Sequence, residues 1–184
     1  MTEDRKPSRD EVARAAGRTI ADVLAEDLRV LFCGINPGLY SGAVGHHFAR
    51  PGNRFWKALH LSGFTDRLLS PSEERGLLRY GIGLTNIVRR ATASSGELSP
   101  EDLRAGADTL TRKVRRTRPR FVAILGVSAY RAAFEDRGAL LGPQPECLAG
   151  AGLWVLPNPS GRNAHHRLVD LAERFADLRA QVEA

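Results

Sequence analysis

Apolar residues fall along this chain in two kinds of pattern. Leu28-Arg29-Val30-Leu31-Phe32-Cys33, Phe121-Val122-Ala123-Ile124-Leu125 and Trp154-Val155-Leu156 are short, almost wholly apolar runs. Bounded by Gly34, Gly126 and Pro157, such runs predict strands buried on both faces. Elsewhere the apolar positions recur at helical spacing. Leu103, Ala107, Leu110 and Val114 fall on one face of a helix, and Leu168, Leu171, Phe175 and Leu178 on one face of another. The first of these has a clear start: Ser99 can cap it, Pro100 suits its first position, and Glu101 and Asp102 favour its positive end. Pro119 stops it. Weaker helical patterns cover about residues 11–25, 53–61 and 72–80; another helix starts near Ser128, and the last near Ala164.

Apolar strands alternating with amphipathic helices predict an α/β fold of three layers, α/β/α, with a central mostly parallel sheet. Residues 1–10 are polar and charged and read as a mobile tail; residues 11–184 read as a single domain. In such folds ligands sit in the loops that follow the carboxyl ends of the strands. Those loops are residues 34–38, 126–128 and 157–161. Two of the three carry an Asn-Pro dipeptide, Asn36-Pro37 and Asn158-Pro159, which predicts one shared site.

Composition narrows this picture modestly. With 184 residues, 42% hydrophobic and 26% charged, the chain can bury a core without disulfides or metal. No stretch approaches the roughly 20 apolar residues of a membrane span, and the start Met-Thr-Glu-Asp-Arg lacks a signal-like apolar run. A soluble protein of the cytoplasm is the expectation. The net charge of +6 and pI near 10.0 are compatible with a polyanion partner, but need a site to support that reading. Cys33 and Cys147 cannot form a disulfide framework or a four-cysteine cluster, and Cys33 reads as a small core residue.

Gly34-Ile35-Asn36-Pro37-Gly38 admits two readings on its own. Asn36 offers one acceptor and two donors but no base, so it can serve a ligand or merely an Asx-type turn. A phosphate cradle fits less well, because Pro37 removes an amide that such a loop uses. The adjacent His46 and His47 point to opposite sides in an extended chain and make a poor chelating pair. Arg112, Lys113, Arg115, Arg116, Arg118 and Arg120 read as a solvated charged face; they can contact DNA only if that helix end faces the loops.

The longer segments decide between these readings. Gly34-Ile35-Asn36-Pro37-Gly38-Leu39, Gly45-His46-His47-Phe48 and Pro51-Gly52-Asn53-Arg54-Phe55-Trp56-Lys57 closely resemble the mismatch-specific uracil/thymine DNA glycosylases. The resemblance continues at Gly81-Ile82-Gly83-Leu84-Thr85-Asn86-Ile87-Val88 and Asn158-Pro159-Ser160-Gly161, spanning about residue 19 to the final helix. It implies the uracil-DNA glycosylase-like fold, a pocket for a flipped base, and hydrolysis of the N-glycosidic bond without metal or cofactor. By the same resemblance Asn36 positions the attacking water, Phe48 stacks on the base, and the backbones of Ile35 and Phe48 bind the pyrimidine edge. Ser41 occupies the position near C5, which favours uracil and ethenocytosine over thymine. Asn86 matches a pocket-lining asparagine, with structural capping as the other reading, and Asn158 lies near the leaving base.

Ser160, Gly161, Arg162 and Asn163 would form the intercalation loop. Arg162 either plugs the hole left by the base or binds phosphate, with Asn163, His165 and His166 as neighbouring candidates. No lysine occupies the matched catalytic loop, which argues against Schiff-base lyase chemistry. The expected protein is thus a monofunctional, monomeric base-excision-repair enzyme of the bacterial cytoplasm, acting on duplex DNA with G·U mismatches at the nucleoid. The competing class is a non-catalytic nucleic-acid or nucleotide-binding α/β protein.

Overall fold

A computed structural model describes residues 6–184. Among these described residues five strands, β1 (Val30–Gly34), β2 (Ile82–Asn86), β3 (Phe121–Leu125), β4 (Gly142–Leu148) and β5 (Ala151–Leu156), form one sheet in the order β2-β1-β3-β5-β4. All pairings are parallel except the β4–β5 edge. The helices are α1 (Arg9–Ala13), α2 (Leu39–Val44), α3 (Phe55–Leu61), α4 (Pro100–Thr117), α5 (Val127–Ala133) and α6 (Leu168–Glu183), with a 3-10 helix at Pro71–Tyr80. The expected three-layer α/β architecture is present.

The twofold alternation of strand side chains sorts the core into two halves. Val30, Phe32, Leu84, Ala123, Leu125, Trp154 and Leu156 pack with Phe55 and Leu59 of α3 and with Leu171, Phe175 and Leu178 of α6. Their neighbours Leu31, Cys33, Val122, Ile124, Leu153 and Val155 face Leu103, Leu110 and Val114 of α4 and Tyr130 of α5. Phe32 is the hub of the first half, edge-on to Phe55 and Phe64 and stacked on Phe175, each at 5.5 Å. The capping box of α4 forms as its sequence predicts: Ser99 Oγ accepts the Asp102 N–H at 3.1 Å, and Asp102 accepts the Ser99 N–H at 2.9 Å.

Several elements differ from the sequence expectation. Ser8 caps α1, so Ser8, Arg9 and Asp10 belong to a helix start, while residues 1–5 of the expected tail lie outside the described residues. The helix expected over residues 11–25 stops at Ala13; beyond it Val23 pairs with Leu84 and covers the free edge of β2. The sequence pattern does not predict β2, because Gly83, Thr85 and Asn86 leave only two apolar side chains in it, although every residue in it is buried. β4 was hidden by exposure and by Pro143 and Pro145, which only an edge strand tolerates. The last helix begins at Leu168 rather than Ala164, leaving residues 157–167 as one long loop.

The α4 charge run does not reach the loops. A crossover helix between parallel strands ends at the amino edge of the next strand, and here Arg120 N–H donates to Leu28 O, just before β1. Lys113 turns inward, 2.7 Å from Asp22 and 2.8 Å from Thr85 Oγ1. Arg118 pairs with Glu26 and Asp27.

Candidate active site

The carboxyl ends of β1, β2, β3 and β5 open into one cavity of about 670 Å³. Its lining includes Ile35, Asn36, Ser41, Phe48, Asn86, Asn158, Ser160, Arg162 and Asn163, so all the candidate side chains except the side-chain-free Gly161 border one space. Gly126 sits between the other two loops: a Cβ built there would lie 3.2 Å from Ile35 Cδ1 and 3.9 Å from Asn158 Cβ.

Asn36 is held by one end only. Its Nδ2 faces Thr92 Oγ1 at 2.7 Å, Arg90 O at 3.0 Å and Pro37 O at 3.2 Å. Two of these are carbonyls, which only accept, and the Thr92 hydroxyl hydrogen is already donated to Ser94 O at 2.8 Å. The amide therefore has one orientation, and among the described residues no donor meets Oδ1. The support runs back to a helix start: Arg90, whose carbonyl receives Asn36, also binds Asp102 of the α4 capping box at 2.6 Å. Thr92 carried no chemical signal in the sequence, because it lies in a run of small residues, Ala91 to Gly96.

Asn158 is held by the opposite end. Its Oδ1 accepts the Ser160 N–H at 2.9 Å, closing an Asx turn, and its backbone carbonyl accepts from Asn163 Nδ2 at 2.9 Å. The Nδ2 hydrogens of Asn158 are the part left for a ligand.

Phe48 adopts a left-handed backbone, φ 53°, costly for an aromatic residue and held by its neighbours. One ring face stacks on Phe55 at 4.2 Å. The ring edge presses on Gly34, where an added Cβ would come 3.2 Å from Phe48 and 2.5 Å from Asn86 Oδ1. Gly34 therefore lets Asn86, opposite it in register, and Phe48 share the pocket wall. Ser41 is buried in α2, and its Oγ accepts the Ala49 N–H at 3.1 Å, fixing the chain just beyond Phe48. The Ile35 carbonyl already accepts the Val88 N–H at 2.9 Å.

His47 is buried and its Nε2 donates to Ala21 O at 3.0 Å, which fixes Nδ1 as an acceptor in the neutral ring. Asn86 Nδ2 lies 3.4 Å from that Nδ1. Burial lowers the His47 pKa, against an opposing pull from Glu74, so the ring is held neutral. Glu74 binds the His47 N–H at 2.8 Å and His46 Nδ1 at 3.0 Å, so both histidines are engaged by the fold. Cys33 and Cys147 are both free, one buried in β1 and one exposed on β4. Arg162 is exposed at the loop tip, its guanidinium 3.4 Å from Ala93 O across the cavity mouth.

Residues 21–180 match the uracil DNA glycosylase superfamily. The chain belongs to that superfamily. The membership places it among the DNA glycosylases, hydrolases that act on uracil in DNA. The fold agrees: a solution NMR structure of a provisionally assigned uracil DNA glycosylase from Methanosarcina acetivorans superposes with a TM-score of 0.58 at 21% identity. That match covers 89% of this chain and 98% of the archaeal one. Among the described residues of this superfamily member, no helix is long and apolar enough to cross a membrane.

Proposed function

We propose that this superfamily member is a monofunctional, mismatch-specific glycosylase that removes uracil, and related bases such as ethenocytosine, from G mismatches in duplex DNA. The observation that carries the reading is the one-sided anchoring of Asn36. With Nδ2 fixed on three oxygens, Oδ1 is presented as a rigid acceptor for one proton of a water molecule. The amide orients that water without deprotonating it, since a neutral asparagine is no base.

The chemistry suits such a site. As the bond between C1′ and N1 of the base breaks, its electron pair leaves with the uracil, and the sugar becomes oxocarbenium-like. The oriented water then adds to C1′ and releases its proton to solvent. Because the departing base carries charge, donors aimed at it lower the barrier more than a strong nucleophile would. The free Nδ2 of Asn158 supplies such a donor on the other side of the cavity. Phe48 offers its remaining face to a base rotated out of the duplex, with the Ile35 N–H and the Phe48 backbone at the pyrimidine edge. The site uses no metal or cofactor, and the protein acts as a monomer on DNA in the bacterial cytoplasm.

A G·U duplex incubated with the protein and then treated with alkali tests the reading. Strand cleavage only after alkali, strongly reduced in Asn36→Ala, is the expected result. Binding without any abasic product would identify a non-catalytic nucleic-acid module, and cleavage before alkali would identify a lyase.

A further inference from the structure

Beneath the loop that joins β5 to α6 lies a cation whose partners among the described residues are all backbone carbonyls of that loop. The Arg54 backbone N–H and Nε donate to Pro159 O at 3.0 and 3.3 Å. One terminal nitrogen donates to Ser160 O at 2.7 Å and Asn163 O at 3.0 Å, and the other to His166 O. Among the described residues no carboxylate pairs with this guanidinium. The arrangement uses the planar fork of arginine, which can address several acceptors in fixed directions where an ammonium cannot.

We propose that Arg54 is a positioning residue that shapes the 158–166 loop for entry into DNA, making two loops distant in sequence act as one rigid clamp. Four carbonyls converge on one group, so the peptide units on either side of the tip turn their oxygens inward. Gly161 and Arg162, which lie between the anchored carbonyls, are left as the exposed tip. A second contact locks the same pair of loops: a Cβ on Gly161 would come within 2.7 Å of Gly52 O, so the tip is pressed against the Pro51–Asn53 turn. That turn is itself fixed, since Asn53 Oδ1 accepts the Phe55 N–H at 2.9 Å and starts α3. The clamp thus ties the loop to a helix packed in the core. A loop that must hold open the gap left by a flipped base gains from being ordered before it binds, because no ordering cost then falls on the insertion step.

The consequence for DNA rests on the glycosylase reading above; the clamp itself does not. The test therefore has two arms, both on the full-length protein, with Arg54→Ala and the charge-retaining Arg54→Lys. Hydrogen exchange without DNA reads the clamp: the amides of Ser160, Arg162, Asn163 and His165 should exchange about tenfold or more faster in both variants, with the strands still protected. Unchanged exchange in that loop overturns the proposal. Single-turnover excision reads its purpose, comparing uracil paired opposite guanine with uracil in a central unpaired bubble. The paired substrate should slow about 30- to 100-fold and the bubble only about threefold, since a displaced loop penalises the step that opens a pair. Equal loss on both substrates, or loss on neither, overturns the DNA-facing role. A wild-type protein inactive on both would overturn the glycosylase reading while the exchange arm still judged the clamp.

Discussion

The two Asn-Pro loops sit at the same edge of the sheet and carry the same dipeptide, yet their amides are turned in opposite senses. Asn36 is anchored through Nδ2 on three oxygens and presents its oxygen to the cavity; Asn158 is anchored through Oδ1 on Ser160 N–H and presents its nitrogen. In the proposed mechanism one loop thus offers an acceptor to align water, and the other a donor to the negative charge that leaves. The difference comes from what surrounds each side chain. Carbonyls and a committed hydroxyl face the first, and a backbone amide faces the second. An asparagine has no intrinsic chemical direction, and the fold supplies one by deciding which end is occupied.

The sharpest way to break this comparison is to remove the acceptor. Asn36→Ala should lower single-turnover excision of uracil from a G·U duplex by about 100- to 1,000-fold, the scale of losing one preorganised polar contact to a transition state. A wild-type rate would end the water-positioning role. Next comes Asn158. Asn158→Asp keeps an oxygen for the Ser160 N–H but removes the donor, so it should lose about 10- to 100-fold while the loop stays protected in hydrogen exchange. If Asn158→Asp excised normally while Asn158→Ala did not, the residue would serve the turn and not the leaving base.

A smaller effect tests what turns the first amide. Thr92→Val removes an acceptor from Asn36 Nδ2 at nearly constant volume. It should cut kcat about five- to tenfold at unchanged KM and cost about 1 kcal/mol in denaturant unfolding. Ser41→Ala, which trades a hydroxyl for space in the proposed base pocket, should raise thymine excision relative to uracil by about threefold in parallel G·T and G·U assays. An unchanged ratio would remove Ser41 as a discriminating residue.

The smallest expected effect concerns the third amide, Asn86, whose partner can titrate. His47 has a folded pKa below its ordinary 6.5, so the unfolded chain binds the proton more readily. The resulting stability is fully present above pH 6.5 and is lost as pH falls towards the folded value. Melting curves from pH 7.5 to 5 should show this slope, and His47→Gln should flatten it.

Much of the site is legible in the sequence. Gly34 and Pro157 end buried strands, which placed Asn36 and Asn158 at one edge of a parallel sheet, and the motifs around them pointed to the superfamily that residues 21–180 match. What stayed hidden had physical reasons. β2 carries a glycine and two polar residues among its five, so its pattern was too weak to show that Asn86 closes a strand facing Gly34. Arg54 acts through backbone carbonyls far away in sequence, and a carbonyl carries no residue-type signal; Thr92 meets Asn36 through its hydroxyl, from 56 positions away. Lys113 looked like one more charge in a basic run until its partner Asp22, from a segment expected to be helical, was placed beside it.

The order of apolar and polar residues by itself determined the layered sheet, the helices that cover it and the loops that hold the candidate chemistry, because burial follows periodicity. Only the tertiary structure decided the direction of the Asn36 amide, the neutral tautomer of His47 and the clamping of the 158–166 loop by Arg54. These are contacts between segments separated by tens of residues along the chain. Their sense depends on which atoms the packing leaves facing one another, and local sequence preference does not encode that.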